Sequence, residues 1–313
     1  MSHPTPAGRF APSPTGDLHL GNLRTALLAW LFARSTGRRF LIRIEDLDRV
    51  RAGSAAQQLK DLAAIGLTWD GEPVHQSTRS NMYDAVLATL TSAGLTYECY
   101  CSRREVVEAA SAPQHTSGRA QPLNAYPGTC RHLSERVREA QRSAGKPAAI
   151  RLRANGTSFT VTDLLFGETT CVVDDFVLRR NDGTPAYNLA VVVDDAAQGV
   201  DQVVRGDDLL TSAPRHSYLA RLLGYHQPTY AHVPLVLGPT GQRLAKRDGA
   251  VTLADLRALG WTPDRVLSLL AQSLGLVDPE ESVIPAGLYD LVARFDPAAL
   301  PRAPWVFDPA TLA

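Results

Sequence analysis

The chain has 313 residues, 44% hydrophobic and 20% charged, with 32 basic side chains set against 32 acidic ones. Such a length exceeds one typical domain and leaves ample material for a core, while the balanced charge excludes a globally basic nucleic-acid coat. There is no apolar run of the ~18 residues a membrane span needs, no secretory h-region, and too few cysteines for a secreted disulfide scaffold, so a cytoplasmic protein without a membrane partner is expected.

In chain order, the first eight residues read as a loose tail, and a buried strand is predicted from Arg9 to Pro12. A tight turn follows, carrying Pro12, Ser13, Pro14, Thr15 and Gly16, and then a helix from Leu20 to Arg34 that is apolar on most faces and therefore enclosed. A second strand, Arg39 to Glu45, ends in an acidic cluster; helices are predicted over 54–65 and 81–93, each closed by a glycine. Strand and helix alternating in this way predict an α/β fold with a doubly wound parallel sheet. Ligands then gather at the carboxyl ends of the strands, where Ser13 and Glu45 fall.

Between Cys99 and Cys171 the character changes. A Ser-, Pro- and Gly-rich loop over 111–126 precedes three short alternating segments at 150–153, 158–161 and 171–173, which suggest antiparallel strands in an inserted α+β subdomain. The nucleotide fold resumes with strands expected at 176–179, at 188–195 and at 202–208, and a helix at 218–223. After Val251 only short helices are predicted. The expected units are therefore 1–98 and 176–250 as two halves of a catalytic core, 99–175 as the insertion, and 251–313 as a short helical extension.

The turn before the first helix carries the chemistry. A helix N-terminus collects unsatisfied N–H groups and the positive end of the macrodipole, which suits an anion such as phosphate. His19 stands at that terminus, and Gly21 removes a Cβ from its path. Far downstream, Gly238 to Gly241 make a hinge before Arg243, Leu244, Ala245, Lys246 and Arg247.

The run Arg9 to Gly16 followed by His19, Leu20, Gly21 and Asn22 resembles the "HIGH" signature of class I aminoacyl-tRNA synthetases, in the form typical of glutamyl-tRNA synthetases. The segment 243–247 is similar to the "KMSKS" loop of the same family, with Ala245 in place of the usual Ser. The resemblance spans residues 8 to 250. It implies a Rossmann-like class I core and ATP as a substrate, with Mg2+ accompanying it. It implies ATP contacts from Pro12, His19, Gly21, Asn22 and Lys246, with His19 and Lys246 catalytic. It implies a glutamate site made of Arg9, Ala11, Ser13, Glu45, Tyr187 and Arg205. On chemistry alone, Arg9 and Arg205 are equally well read as structural ion pairs, and Asp207 and Asp208 as a helix N-cap region.

Cys99, Cys101 and Cys130 bring three of the four thiols within a short span, a set suited to tetrahedral Zn2+. On chemistry alone the fourth ligand is His132 or His115, and buried free cysteines are the plain alternative. The resemblance points instead to Tyr126, because Cys-x-Cys followed by Tyr-x3-Cys is similar to the structural zinc cluster of glutamyl-queuosine tRNA(Asp) synthetases. Cys171 reads as core.

Only residues 251–313 follow the Lys246 loop, too few for the anticodon-reading domain of full-length glutamyl-tRNA synthetases. That pattern, with the turn at Trp69, Asp70 and Gly71, resembles the truncated paralogs that attach glutamate to queuosine of tRNA(Asp). The resemblance implies glutamate, ATP and queuosine-bearing tRNA(Asp) as partners of a monomeric enzyme. The basic stretch 131–153 is a candidate RNA contact or a solvated helix face. A short glutamyl-tRNA synthetase working with a separate partner, and a non-catalytic synthetase-like sensor, are the alternatives.

Overall fold

The computed structural model describes residues 5–102, 104–107, 125–242, 251–278 and 288–312. Its centre is a sheet built from β1 (Ala7–Phe10), β2 (Arg39–Ile44), β3 (Val74–His75), β6 (Ser158–Asp163), β7 (Gly167–Val172), β9 (Val200–Gly206) and β10 (Thr229–Val233), in the order β3-β2-β1-β9-β10-β6-β7. All neighbours pair in parallel except β6 and β7, which form an antiparallel hairpin at the edge. The chain therefore leaves β1 toward one edge through β2 and β3, and later returns on its other side through β9. The crevice at the carboxyl ends of β1 and β9 is the switch point of such a sheet, where ligands are held.

Helix α1 (Leu20–Ser35) packs on one face, with Trp30, Leu31, Phe32 and Ala33 all buried. Strand β2 shows how both faces are covered: Phe40, Ile42 and Ile44 join the core that contains α1, whereas Leu41 joins the core on the opposite face. The first of these cores also takes in α7 (Leu253–Ala258), α8 (Pro263–Gln272) and α9 (Leu288–Arg294), through Leu256, Leu270 and Leu291. Edge-to-face pairs of Trp30 with Tyr289 at 5.3 Å and Phe32 with Phe295 at 5.0 Å tie this C-terminal part to α1. The opposite face carries α3 (Ser80–Ser92), α5 (Tyr187–Gln198) and α6 (Ala213–Leu222), while α2 (Ser54–Ala64) lies with α1.

Two features differ from the sequence reading. Residues 188–195, expected as a strand, lie within α5. Leu189 to Val193 form an unbroken buried run, and such a run suits a buried helix as well as a buried strand. Gly199 in the left-handed conformation at φ 70° is the helix stop, with its N–H on the Ala196 carbonyl. The segment 99–175 is also shared out differently: β6 and β7 extend the main sheet, while β5 (Ala149–Leu152) sits between β4 (Thr96–Cys99) and β8 (Val177–Arg179) in a separate three-stranded sheet. Beside that sheet lies α4 (Glu135–Ser143), capped by Ser134. Strands β11 (Val236–Leu237) and β12 (Trp305–Val306) form a further pair. No described helix is long and apolar enough to cross a membrane.

Candidate active site

The loop after β1 is held from both sides. Glu45 N–H donates to the Pro12 carbonyl at 3.0 Å and Arg51 N–H to the Pro14 carbonyl at 2.9 Å. From α2, the buried Gln58 amide donates to the Ser13 and Gly16 carbonyls at 3.1 and 2.7 Å. His19 is the N-cap of α1, and its backbone N–H is accepted by Asn22 Oδ1 at 3.2 Å. A Cβ on Gly21 would stand 3.1 Å from the His19 ring, so the glycine gives the imidazole its place.

This loop floors a cavity of about 950 Å³. Arg9, Ala11, Pro12, Ser13, His19, Gly21, Asn22, Glu45, Tyr187 and Arg205 all line it, so every described candidate for glutamate and ATP faces one space. Lys246 and its neighbour Ala245 lie outside the described residues. A second cavity of about 940 Å³ shares Ser13, Glu45 and Tyr187 and runs to Cys101, Arg151 and Asn181. Tyr187 opens α5, so its position follows from the helix that the sequence reading placed as a strand.

Beneath the cavity lies a buried charge network that sequence reasoning missed. Arg43 on β2 is fully buried and donates to Asp195 at 2.6 Å; Asp194 stands 3.8 Å away and Glu45 3.6 Å away. Asp195 also accepts from Arg9 Nε at 3.2 Å. Asp194 accepts from Gln76, Arg79 and the Tyr83 hydroxyl at 2.6 to 2.8 Å. Burial pushes the Glu45 carboxyl up, against the pull of Arg43 and Arg9. Burial also opposes ionisation of Asp195, yet Arg43 and Arg9 together hold its carboxyl below the usual range. The ion-pair alternative for Arg9 and its placement in the cavity are thus both present: Nε pairs with Asp195 and Nη1 with the Val204 carbonyl, and the residue lines the space. The available signal was a charged residue inside each apolar run, Arg43 in β2 and Asp194–Asp195 in α5.

The described side-chain hydrogen bonds of Arg205 go to neutral groups. Its Nε donates to His232 Nε2 at 3.0 Å, Nη1 to His216 Nδ1 at 3.1 Å and to the Tyr187 hydroxyl at 3.4 Å, and Nη2 to the Leu209 carbonyl at 3.1 Å. Asp207 and Asp208 open a 3-10 turn directly after β9, and Asp208 also lines the cavity.

The cysteine prediction falls on one cluster. The Sγ atoms of Cys99, Cys101 and Cys130 lie within 4.8 Å of one another. Tyr126 Oη is 3.4 Å from Cys99 Sγ and 3.6 Å from Cys101 Sγ, and it accepts the Cys130 N–H at 2.8 Å. His132 is exposed and outside the cluster, and His115 lies outside the described residues. Burial raises the Cys101 thiol to about 12. Burial also works against the Cys99 thiolate, but the Arg151 charge and the Tyr126 hydroxyl outweigh it and draw that thiol down. Arg151 stacks its guanidinium on the Tyr126 ring at 3.6 Å. Three soft ligands and an oxygen in this spacing fit a tetrahedral Zn2+. Cys171 is buried and belongs to β7.

The basic stretch is largely spoken for. Arg142 pairs with Glu98, Glu135 and Glu139, Arg138 with Glu135, and Arg131 with Asp175. Arg151 and Arg153 donate to the Asp175 and Thr96 carbonyls. These contacts favour an internally paired face over a dedicated RNA patch.

Comparison with known proteins agrees with this geometry. The glutamyl-Q tRNA(Asp) synthetase of Nocardia farcinica is 63% identical over 96% of this chain and 92% of its own length. That of Cutibacterium acnes is 53% identical over 88% of this chain and 79% of its own. Among solved structures, the glutamate-tRNA synthetase of Elizabethkingia anophelis superposes with a TM-score of 0.80 at 28% identity, over 99% of this chain and 69% of that one. The family described as tRNA synthetases class I (E and Q), catalytic domain, matches residues 7–312, and the chain belongs to it.

Proposed function

We propose that this enzyme activates glutamate with ATP and transfers it to queuosine in the anticodon of tRNA(Asp). The observation that carries the choice within the family is the 63% identity, over nearly the full length of both chains, to a glutamyl-Q tRNA(Asp) synthetase.

In the first step a carboxylate oxygen of glutamate attacks the α-phosphorus of ATP. The bond from that phosphorus to the bridging oxygen breaks, and pyrophosphate leaves with the electron pair. In the second, a hydroxyl of the queuosine cyclopentene diol attacks the activated carbonyl. The hydroxyl proton passes to a phosphate oxygen of the AMP, which departs with the electron pair of the broken carbonyl–oxygen bond. Charge accumulates on phosphate oxygens in the first transition state, so donors aimed there supply the catalysis. His19 at the α1 N-terminus is such a donor, and Lys246 is assigned the second positive charge. Mg2+ travels with ATP and adds charge neutralisation.

Arg9 and Arg205 stand on the two strands flanking the switch point, as a dicarboxylate substrate requires. Arg9 keeps Nη2 for a ligand, because Nε is bound to Asp195 and Nη1 to the Val204 carbonyl. Glu45 takes the substrate ammonium: a carboxyl pushed up by burial gains most from an incoming cation. Tyr187 offers its hydroxyl, while Ala11 and Ser13 bring the strand end against the amino acid. A structural Zn2+ would be held by Cys99, Cys101, Tyr126 and Cys130, tying the 126–130 segment to the end of β4.

The test uses radiolabelled glutamate, ATP, and tRNA(Asp) with queuosine or with unmodified guanosine. Label on the queuosine-bearing tRNA alone is expected. Label at the 3′ end of tRNA(Glu) would instead make the protein a short glutamyl-tRNA synthetase. Absence of glutamyl-adenylate, beside an active control enzyme, would favour a sensor. In the same assay Lys246→Ala is expected to lose pyrophosphate exchange, and near-normal exchange would remove that lysine from the mechanism.

A further inference from the structure

Three adjacent strands place Asp163, His232 and Arg205 side by side. His232 pairs in register with Arg205 across β10 and β9, and Asp163 ends β6 on the other side of β10. His232 Nδ1 lies 2.6 Å from Asp163 Oδ2 and its Nε2 lies 3.0 Å from Arg205 Nε. On α6, His216 places Nδ1 3.1 Å from Arg205 Nη1 and Nε2 2.9 Å from Asn188 Oδ1. Asp163 and His232 are essentially excluded from solvent, and His216 is 3% exposed.

An arginine donates only, so both nitrogens facing Arg205 must be acceptors. That fixes the two histidines as neutral and in opposite tautomers: His232 carries its proton on Nδ1, given to Asp163, and His216 on Nε2, given to Asn188. Asp163 is itself fixed, since its oxygens also accept the backbone N–H groups of Leu165, Phe166 and His232. The described contacts engage four of the five N–H groups of Arg205 and do not include the second on Nη2. A carboxylate in place of either imidazole would satisfy the same donors but cancel the charge. Neutral imidazoles hold the fork in one orientation and leave its charge for an incoming carboxylate.

We propose that His232 and His216, backed by Asp163 and Asn188, are positioning residues that lock Arg205 for glutamate through opposite ring nitrogens. The proposal rests on Arg205 being a glutamate ligand, so the test separates the two claims. A glutamine amide reaches the position of a histidine Nε2, and an asparagine amide that of Nδ1. At 232 the acceptor for Arg205 is Nε2, so His232→Gln is expected to keep function and His232→Asn to lose it. At 216 the acceptor is Nδ1, so His216→Asn keeps function and His216→Gln loses it.

The readout is the glutamate KM in ATP–pyrophosphate exchange, with the ATP KM and thermal unfolding measured alongside. A rise of about tenfold in glutamate KM is expected for each losing variant, the scale of an unpaired hydrogen bond to a charged group. The ATP KM is expected to stay within about twofold of the parent's, because the relay does not reach the loop after β1. A packing role would rank the two amides in the same order at both positions, and that result would overturn the proposal. Unchanged glutamate KM in all four variants would overturn it too. If the 232 variants do not fold, the 216 pair decides, since Asn outperforming the larger Gln is the opposite of what filling the space would give. Arg205→Lys supplies the separation: an unchanged glutamate KM there would remove Arg205 from the site itself. A raised KM with an uncrossed pattern would reject the relay alone.

Discussion

At the scale of single residues, burial sets the protonation states. Burial pushes the His216 imidazole well below its ordinary value, reinforced by the neighbouring Arg205, and burial lowers His232 despite Asp163. A histidine whose folded value lies below its unfolded value binds the extra proton only when unfolded. Stability from such a group is complete above the unfolded value of about 6.5 and is lost progressively below it, by up to about 1.4 kcal/mol per pH unit. Asp163 and Asp195, held low in the fold, begin to lose theirs only under about pH 4. Glu45, raised by burial, works in the opposite sense, so a difference between variants is the clean measurement. The unfolding free energy of His216→Asn is expected to fall less steeply from pH 7 to pH 5 than the parent's. Parallel slopes would mean that His216 is not neutral in the fold. Arg151 poses the complementary question, being buried with no carboxylate within 4.0 Å among the described contacts. The Cys99 thiol, which the Arg151 charge draws down, is an available countercharge. In protein loaded with the proposed Zn2+, Arg151→Gln is expected to weaken metal retention against a competing chelator by about tenfold, with Arg151→Lys recovering much of it. Equal retention in parent and Arg151→Gln would show that the stacking contributes no charge.

At the scale of elements, the turn after β1 depends on a residue from elsewhere. Gln58 reaches from α2 to two carbonyls of that turn, and it is 2% exposed. Gln58→Leu removes the side-chain donor of the Gly16 carbonyl and one of two donors to the Ser13 carbonyl, which keeps the Thr15 N–H, a cost of about 2 kcal/mol. Glutamate and ATP KM values should both rise, because Ser13 faces the whole cavity. Lower stability with both KM values intact would show that the turn holds its shape unaided. Helices α2 and α3 were legible because a helical period runs into a glycine stop, at Gly66 and Gly94; α1 and β2, enclosed on most faces, were legible from the length of each apolar run and the turn that ends it, and β1 from the motif it leads into. The site was legible where a motif is contiguous, from Arg9 to Asn22, and where spacing is short, in the cysteines. Helix α5 was not, because its buried run carries no period. The relay on Arg205 was not legible either: strand register brings Asp163 and His232 beside Arg205, while His216 reaches it from α6.

At the scale of the whole molecule, the C-terminal part and the nucleotide-type half share one core, and a buried cation joins them. Arg24 on α1 is 2% exposed, and burial lowers its guanidinium to about 10. It donates to the Pro234 carbonyl at 2.9 Å, and to Ser273 Oγ and the Ser273 carbonyl at 3.0 and 3.3 Å. One side chain thus connects the helix that begins at His19, the end of β10, and the C-cap of α8. The end of β10 leads through β11 to the 238–242 turn, so the chain leading to that turn is braced by α1 and the C-terminal helices together. Replacing Arg24 with methionine removes the cost of burying a charge but takes the donor from the Pro234 and Ser273 carbonyls, for which the described contacts give no other, and the second term wins. Arg24→Met is expected to destabilise the protein by about 2 kcal/mol. Hydrogen exchange is expected to quicken in two separated segments, 229–242 and 263–278, with little change in β1 or β2. Faster exchange in the 263–278 segment alone would mean that the C-terminal helices dock on α1 without bracing the chain that leads to the 238–242 turn. That outcome would confine Arg24 to anchoring α8.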